Sequence, residues 1–195
     1  FAPLTKGGIE VESPEELKIC DPACGSGHLL VYAFDLLYAI YEEQGYNPSE
    51  IPKAIFTHNL YGIEIDERAG ELAAFALTMK AREKHRRFLK KPVQPQICVL
   101  ENVRFEEGEL NNYLDFVGRD LFTASLQETL HQFEEAENFG SLIRPKVADV
   151  GYVLQVLAEK NVGENLFLYQ VHEKVQKVLK QASFLSESYH VVIAN

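Results

Sequence analysis

Two short stretches of the chain hold residue types that could do chemistry together. The first is Asp21-Pro22-Ala23-Cys24-Gly25-Ser26-Gly27, which follows the apolar run Lys18-Ile19-Cys20 and opens a long apolar segment. Glycines at a strand-to-helix turn allow a tight bend and let a ligand approach the backbone, while the helix start offers N–H groups to an anion. The second stretch is Gly62-Ile63-Glu64-Ile65-Asp66, at the end of the next apolar run. A carboxylate there, Glu64, can accept from both hydroxyls of a ribose, and the neighbouring Ile65 can cover the face of an adenine. Each residue also has a plainer reading. Glu64 can be an ordinary strand-end acid, Asp66 the N-cap of the following helix, and His28 a helix-start residue with no acid–base partner in the sequence.

The glycine turn is not a P-loop, because no Gly-Lys-Ser/Thr follows it. It is a poor dinucleotide fingerprint, because Gly25-Ser26-Gly27 runs into His28-Leu29-Leu30 without a third glycine.

The elements that must position these residues follow from periodicity. Lys18–Cys20 reads as a strand, and 29–41, apolar nearly all round, as a helix packed on a sheet and ended by Gly45 and Pro48. Leu60–Ile65 reads as a second strand. The spacing predicts a helix from Glu67 to about Phe88, and Pro95–Leu100 a third strand. Segments 120–138, 141–159 and 165–182 look helical, and Tyr189–Ala194 reads as a fourth strand. Strands alternating with helices imply a Rossmann-like α/β fold, a mostly parallel sheet with helices on both faces, whose ligands bind beyond the carboxyl ends of the strands. The expected organisation is an arm or loop over 1–17, a binding half over 18–100, a mostly helical insertion over 101–188 and a last strand over 189–195.

Bulk composition narrows the partners. The chain has 195 residues, 46% hydrophobic and 25% charged, with a net charge of -10. A duplex-binding surface needs Lys and Arg to displace counterions from phosphates, so an acidic chain is not by itself a good DNA-binding domain. Lys80, Arg82, Lys84, Arg86, Arg87, Lys90 and Lys91 form a local basic run. It reads as a solvated helix end favoured by the helix dipole, or alternatively as a phosphate-contacting patch. Cys20, Cys24 and Cys98 have no pairing or zinc-ligand spacing and read as buried thiols in a reducing cytoplasm. No window is apolar enough to span a membrane and no signal peptide is visible, so a cytoplasmic protein with no membrane partner is expected.

The spellings Asp21–Gly27 (DPACGSG) and Leu60–Asp66 (LYGIEID) together resemble the class I adenine-N6 DNA methyltransferases, most closely the large enzymes of type IIG restriction-modification and of BREX-type phage exclusion. The resemblance extends over about 18–100 and includes Leu29–Leu37 and Ala73–Arg82. In that family the fourth strand runs into Asn-Pro-Pro-Tyr, and this chain ends Val191-Val192-Ile193-Ala194-Asn195. The resemblance implies S-adenosyl-L-methionine as cofactor. Asp21, Ala23, Cys24, Gly25 and Gly27 would surround its methionine part, Glu64 would hold the ribose and Ile65 the adenine, and Asn102 would stand where the family has an acid facing the adenine amino group. Asn195 would be the catalytic residue, accepting a hydrogen bond from the amino group of a target adenine flipped out of the duplex. It further implies that double-stranded DNA is held by regions outside this chain, with other subunits of a defence complex as possible partners. The fragment is expected to bind cofactor without methylating. Three alternatives stay open: methylation of RNA or of a protein glutamine, a non-catalytic assembly module of the same fold, and a nicotinamide-binding dehydrogenase domain.

Overall fold

The computed structural model describes residues 8–106, 108–118, 123–160 and 165–194. Asn195 and the first seven residues, part of the expected arm, lie outside the described residues. The chain divides into two compact units, one of 1–99 with 188–195, the other of 100–187.

The first unit is built on four parallel strands: β1 (Ile19–Asp21), β2 (Leu60–Glu64), β3 (Gln96–Val99) and β4 (Val191–Val192), in the order β3-β2-β1-β4. It is Rossmann-like. The chain steps outward from β1 to β2 and β3, then returns to the other side of β1 for β4. That reversal creates a crevice at the carboxyl ends, where ligands of such sheets bind. β1 and β2 form the central pair, and only Glu64 among their residues is not buried. Such buried parallel strands read as continuous apolar runs.

Helix α1 (His28–Glu43) follows the glycine turn and packs on β1 and β2 through Leu30, Ala33, Phe34, Leu37, Tyr38 and Tyr41. Gly45 at φ 78° follows the end of this helix. A short helix, α2 (Ile51–His58), was not evident from periodicity. It starts with Pro52 in its first turn, where the missing N–H costs nothing. Phe56 then sits edge-on to Phe34 and to Phe88, with ring centroids 5.6 and 5.7 Å apart. Helix α3 (Glu67–Lys84) is capped by Asp66, whose Oδ1 accepts from the N–H groups of Arg68 (2.8 Å) and Ala69 (3.1 Å). It stops at Lys84, four residues short of the sequence expectation. His85 turns extended, so that Phe88 can enter the core from a short 3-10 turn. Buried Asn59 fastens the entrance of β2: its side chain accepts from Tyr41 Oη (2.8 Å) and donates to the carbonyls of Pro14 and Leu17 (both 2.7 Å).

The second unit is helical: α4 (Glu109–Val117), α5 (Thr123–Gln132), α6 (Ala136–Phe139), α7 (Val150–Ala158) and α8 (Leu166–Ser186). α4, unassigned from sequence, packs with α5 and α7 on α8. Buried Glu109 on α4 receives Lys174 Nζ at 2.9 Å on both oxygens, and Tyr113 Oη bonds His172 Nδ1 at 2.7 Å. Burial disfavours the imidazolium and holds His172 below its ordinary pKa.

Gly27 sets the approach of α1 to α3. Its φ is +80°, and a Cβ there would lie 2.9 Å from Ala73 Cβ and 3.0 Å from Ala73 Cα. Replacing Gly27 with Ala imposes both left-handed strain and a backbone clash. Urea denaturation of the chain should show a loss of roughly 2–4 kcal/mol with an unchanged m-value.

Candidate functional site

The site is a meeting of two strand ends. β1 and β2 run in parallel with Asp21 opposite Gly62, so the turn after β1 and the acid at the end of β2 leave the sheet side by side. Cys24 N–H donates to the carbonyl of Ile63 (3.0 Å), which folds the turn back over β2. Gly62 leaves room for this: a Cβ there would lie 2.6 Å from Ile97, 2.9 Å from Leu30 and 3.1 Å from Cys24 Sγ.

Glu64 collects three backbone donors. Oε2 accepts from Gly25 N–H at 2.7 Å, and Oε1 accepts from Ile65 N–H at 2.8 Å and Asp66 N–H at 3.1 Å. A carboxylate has about four lone-pair sites, so one remains on Oε2. Glu64 can therefore take one ribose hydroxyl directly, and a second only by displacing a backbone donor. Ile65 is 49% exposed beside it, a large apolar side chain left for a flat ring to cover. Gly25 has φ +50° and nothing within 4 Å of where its Cβ would be, so the turn presents bare backbone to open space.

Asp21 lies under the turn, 3% exposed, with Oδ1 accepting from Ala23 N–H at 3.1 Å. Burial, and secondarily the negative charge of Glu64, push its carboxyl above the ordinary value of 3.8. A buried acid beside a second acid suits a cationic ligand group. Cys20 and Cys24 are buried, and burial pushes both thiols up to about 12, which makes them packing groups rather than nucleophiles. Among the described residues no cluster of metal-ligand type occurs.

The structure brings Asp21, Ala23, Cys24, Gly25, Gly27, Glu64 and Ile65 to one end of the sheet. Asn102 belongs to the second unit, where its Oδ1 accepts from Glu137 N–H at 3.0 Å; the oxygen keeps one further lone pair. Asn195 lies outside the described residues, three positions beyond β4. One pairing was missed from sequence: Ser26 Oγ and His28 Nδ1 are 2.8 Å apart, so His28 does have a partner. Both line a groove of ≈ 390 Å³ with Val31, Leu72 and Ala76, on the helix side of the turn. The i,i+2 spacing across Gly27 was the only available signal, and it is common in turns.

Residues 12–101 match the family model described as MmeI, DNA-methyltransferase domain. The whole chain aligns at 34% identity with the adenine-specific methyltransferase BrxX of Escherichia coli O9:H4 (strain HS). The likeness to adenine-specific methyltransferases is borne out. Over 98% of its length the chain is also 29% identical to the adenine-specific methyltransferase PglX of Lacticaseibacillus casei (strain Zhang). It spans 18% and 16% of the lengths of these two methyltransferases. No described helix is long and apolar enough to cross a membrane.

The burial of Asp21 has a thermodynamic sign. A carboxyl raised in the folded state binds its proton more tightly there than in the unfolded chain, so its ionisation costs stability at neutral pH. Asp21→Asn keeps an oxygen for Ala23 N–H and removes that cost. Thermal melting at pH 7 should show an increased Tm for the variant, and the gap should close as pH falls below 3.8. A lower Tm at pH 7 would contradict this assignment of the charge.

Proposed function

We propose that the full-length protein methylates N6 of adenine in double-stranded DNA, and that the first unit holds S-adenosyl-L-methionine. The observation that carries the reading is the convergence of the bare turn at Gly25 on Glu64 at 2.7 Å, with exposed Ile65 alongside. The residues fit that cofactor. Asp21, Ala23, Cys24, Gly25 and Gly27 would line its methionine part, with the negative charge of Asp21 complementing an ammonium. Glu64 would accept from the ribose and Ile65 would cover the adenine.

When bound, the cofactor supplies an electrophilic methyl group on a sulfonium. The chain's own residues orient it, and orientation is the main contribution a protein can make to such a transfer. Asn195, at the head of the expected catalytic motif, would accept a hydrogen bond from the target amino group and direct the nitrogen lone pair at the methyl. As the N–C bond forms, the C–S bond would break to leave a neutral thioether, and the amino nitrogen would give up one proton to solvent. The acidic chain leaves most of the grip on duplex DNA to other regions of the protein.

The reading is tested by incubating full-length protein with labelled S-adenosylmethionine and plasmid DNA, then digesting the DNA to nucleosides. N6-methyladenine should form, and Asn195→Ala should slow its formation by about 10²–10³-fold, the usual cost of removing one positioned group. Label appearing in RNA or in a protein glutamine instead would move the activity to that substrate. No transfer to any of the three would favour an assembly module.

A further inference from the structure

Residues 80–91 hold seven of the chain's 19 Lys and Arg and a single acid, Glu83, in a chain of net charge -10. Two of the seven have a structural task. Lys80 and Lys84 bridge from α3 to Asp35 on α1 at 2.8 and 3.4 Å, and Lys84 also lies 4.8 Å above the Tyr38 ring. The helix dipole explains little of the remainder. α3 ends at Lys84, and a dipole's influence falls off within the last turn. Arg86, Arg87, Lys90 and Lys91 lie beyond it.

These side chains stand on a fixed scaffold. Phe88 is buried edge-on against Phe56, and backbone bonds Phe88 N–H to His85 (2.9 Å), Lys90 N–H to Arg87 (2.9 Å) and Lys91 N–H to Phe88 (3.2 Å) shape the turn. Gln96 then ties the start of β3 to the carbonyls of Phe56 and Thr57, both at 3.0 Å. Arg82, Arg86, Arg87, Lys90 and Lys91 are all exposed, and none forms an ion pair with a described residue. Cations gathered on an acidic domain without counter-charges repel one another, and an anionic ligand relieves that repulsion.

We propose that Arg82, Arg86, Arg87, Lys90 and Lys91 form a phosphate-backbone contact for duplex DNA, remote from the reacting base. α3 has 18 residues and, at 1.5 Å each, separates this platform from the Glu64 end by about 27 Å. That span equals roughly eight base pairs of B-form duplex at 3.4 Å per step. The contact reads no sequence. It adds a salt-sensitive, positioning grip outside the target site. The inference rests on the reading of the whole protein as a DNA methyltransferase.

The test uses the full-length protein and a fluorescent 40-base-pair duplex of arbitrary sequence, titrated at several salt concentrations. The variant carries Arg86→Gln, Arg87→Gln, Lys90→Gln and Lys91→Gln together. Each lost phosphate contact removes about 0.9 from the slope of log K against log salt, so the slope should shrink by about three to four. Affinity for S-adenosylmethionine should be unchanged, and the Tm should be no lower than that of the native protein, because neutralising the cluster relieves its self-repulsion. An unchanged slope in a protein that methylates DNA overturns the platform and leaves the function standing. Native protein that neither binds duplex nor methylates DNA overturns both. A retained slope combined with lost binding of poly-glutamate overturns the DNA contact in favour of an acidic protein partner.

Discussion

The carboxylate of Glu64 is the constraint on which the binding end of the first unit depends. It receives N–H groups from the turn after β1 and from the two residues after β2, at 2.7, 2.8 and 3.1 Å. Parallel neighbours share no hairpin, so nothing local joins these two loops. The acid does, through charge-assisted bonds of about 1.5–3 kcal/mol each. The same group that fixes the turn keeps one lone pair on Oε2, the one that the proposed ribose contact would use. Turn and acid are therefore coupled: disturbing Glu64 frees Gly25, and disturbing the turn re-aims Glu64.

Small residues make that coupling possible. Gly62 lets the Cys24 turn and Leu30 settle on β2, and Gly27 lets α1 approach Ala73 of α3. Gly70 does the same on the other side, where a Cβ would lie 2.6 Å from Val99 Cγ2. Against this tight apolar packing, Asp21 is the expensive element. Its buried carboxyl is held above its ordinary pKa by desolvation first and by Glu64 second. Keeping two acids at neighbouring strand ends opposes stability.

Much of the binding end was legible in the sequence because its chemistry is local. Asp21–Gly27 and Leu60–Asp66 each announce a strand end within seven residues, and the Asp66 cap formed as expected. What was not legible depends on distant partners. α2 has only eight residues, too few to show a period, and it exists because Phe56 finds Phe34 and Phe88. α3 stops before Phe88 because that ring is worth more in the core than on an exposed helix end. α4, with nine residues, is held by the Tyr113–His172 and Glu109–Lys174 pairs across 59 and 65 positions of sequence. The three donors on Glu64 were also invisible: the sequence marked the acid as a ribose acceptor but not as the clasp between two loops.

The most direct measurement of the central claim is calorimetric titration of the chain with S-adenosylmethionine and, separately, NAD, beside the Glu64→Gln variant, which keeps an acceptor for the turn but loses the charge. The account expects S-adenosylmethionine binding by the native chain, weakened about tenfold or more in the variant, the cost of one charge-assisted bond, and no heat from NAD. Binding of NAD, or S-adenosylmethionine binding undiminished by Glu64→Gln, would contradict it.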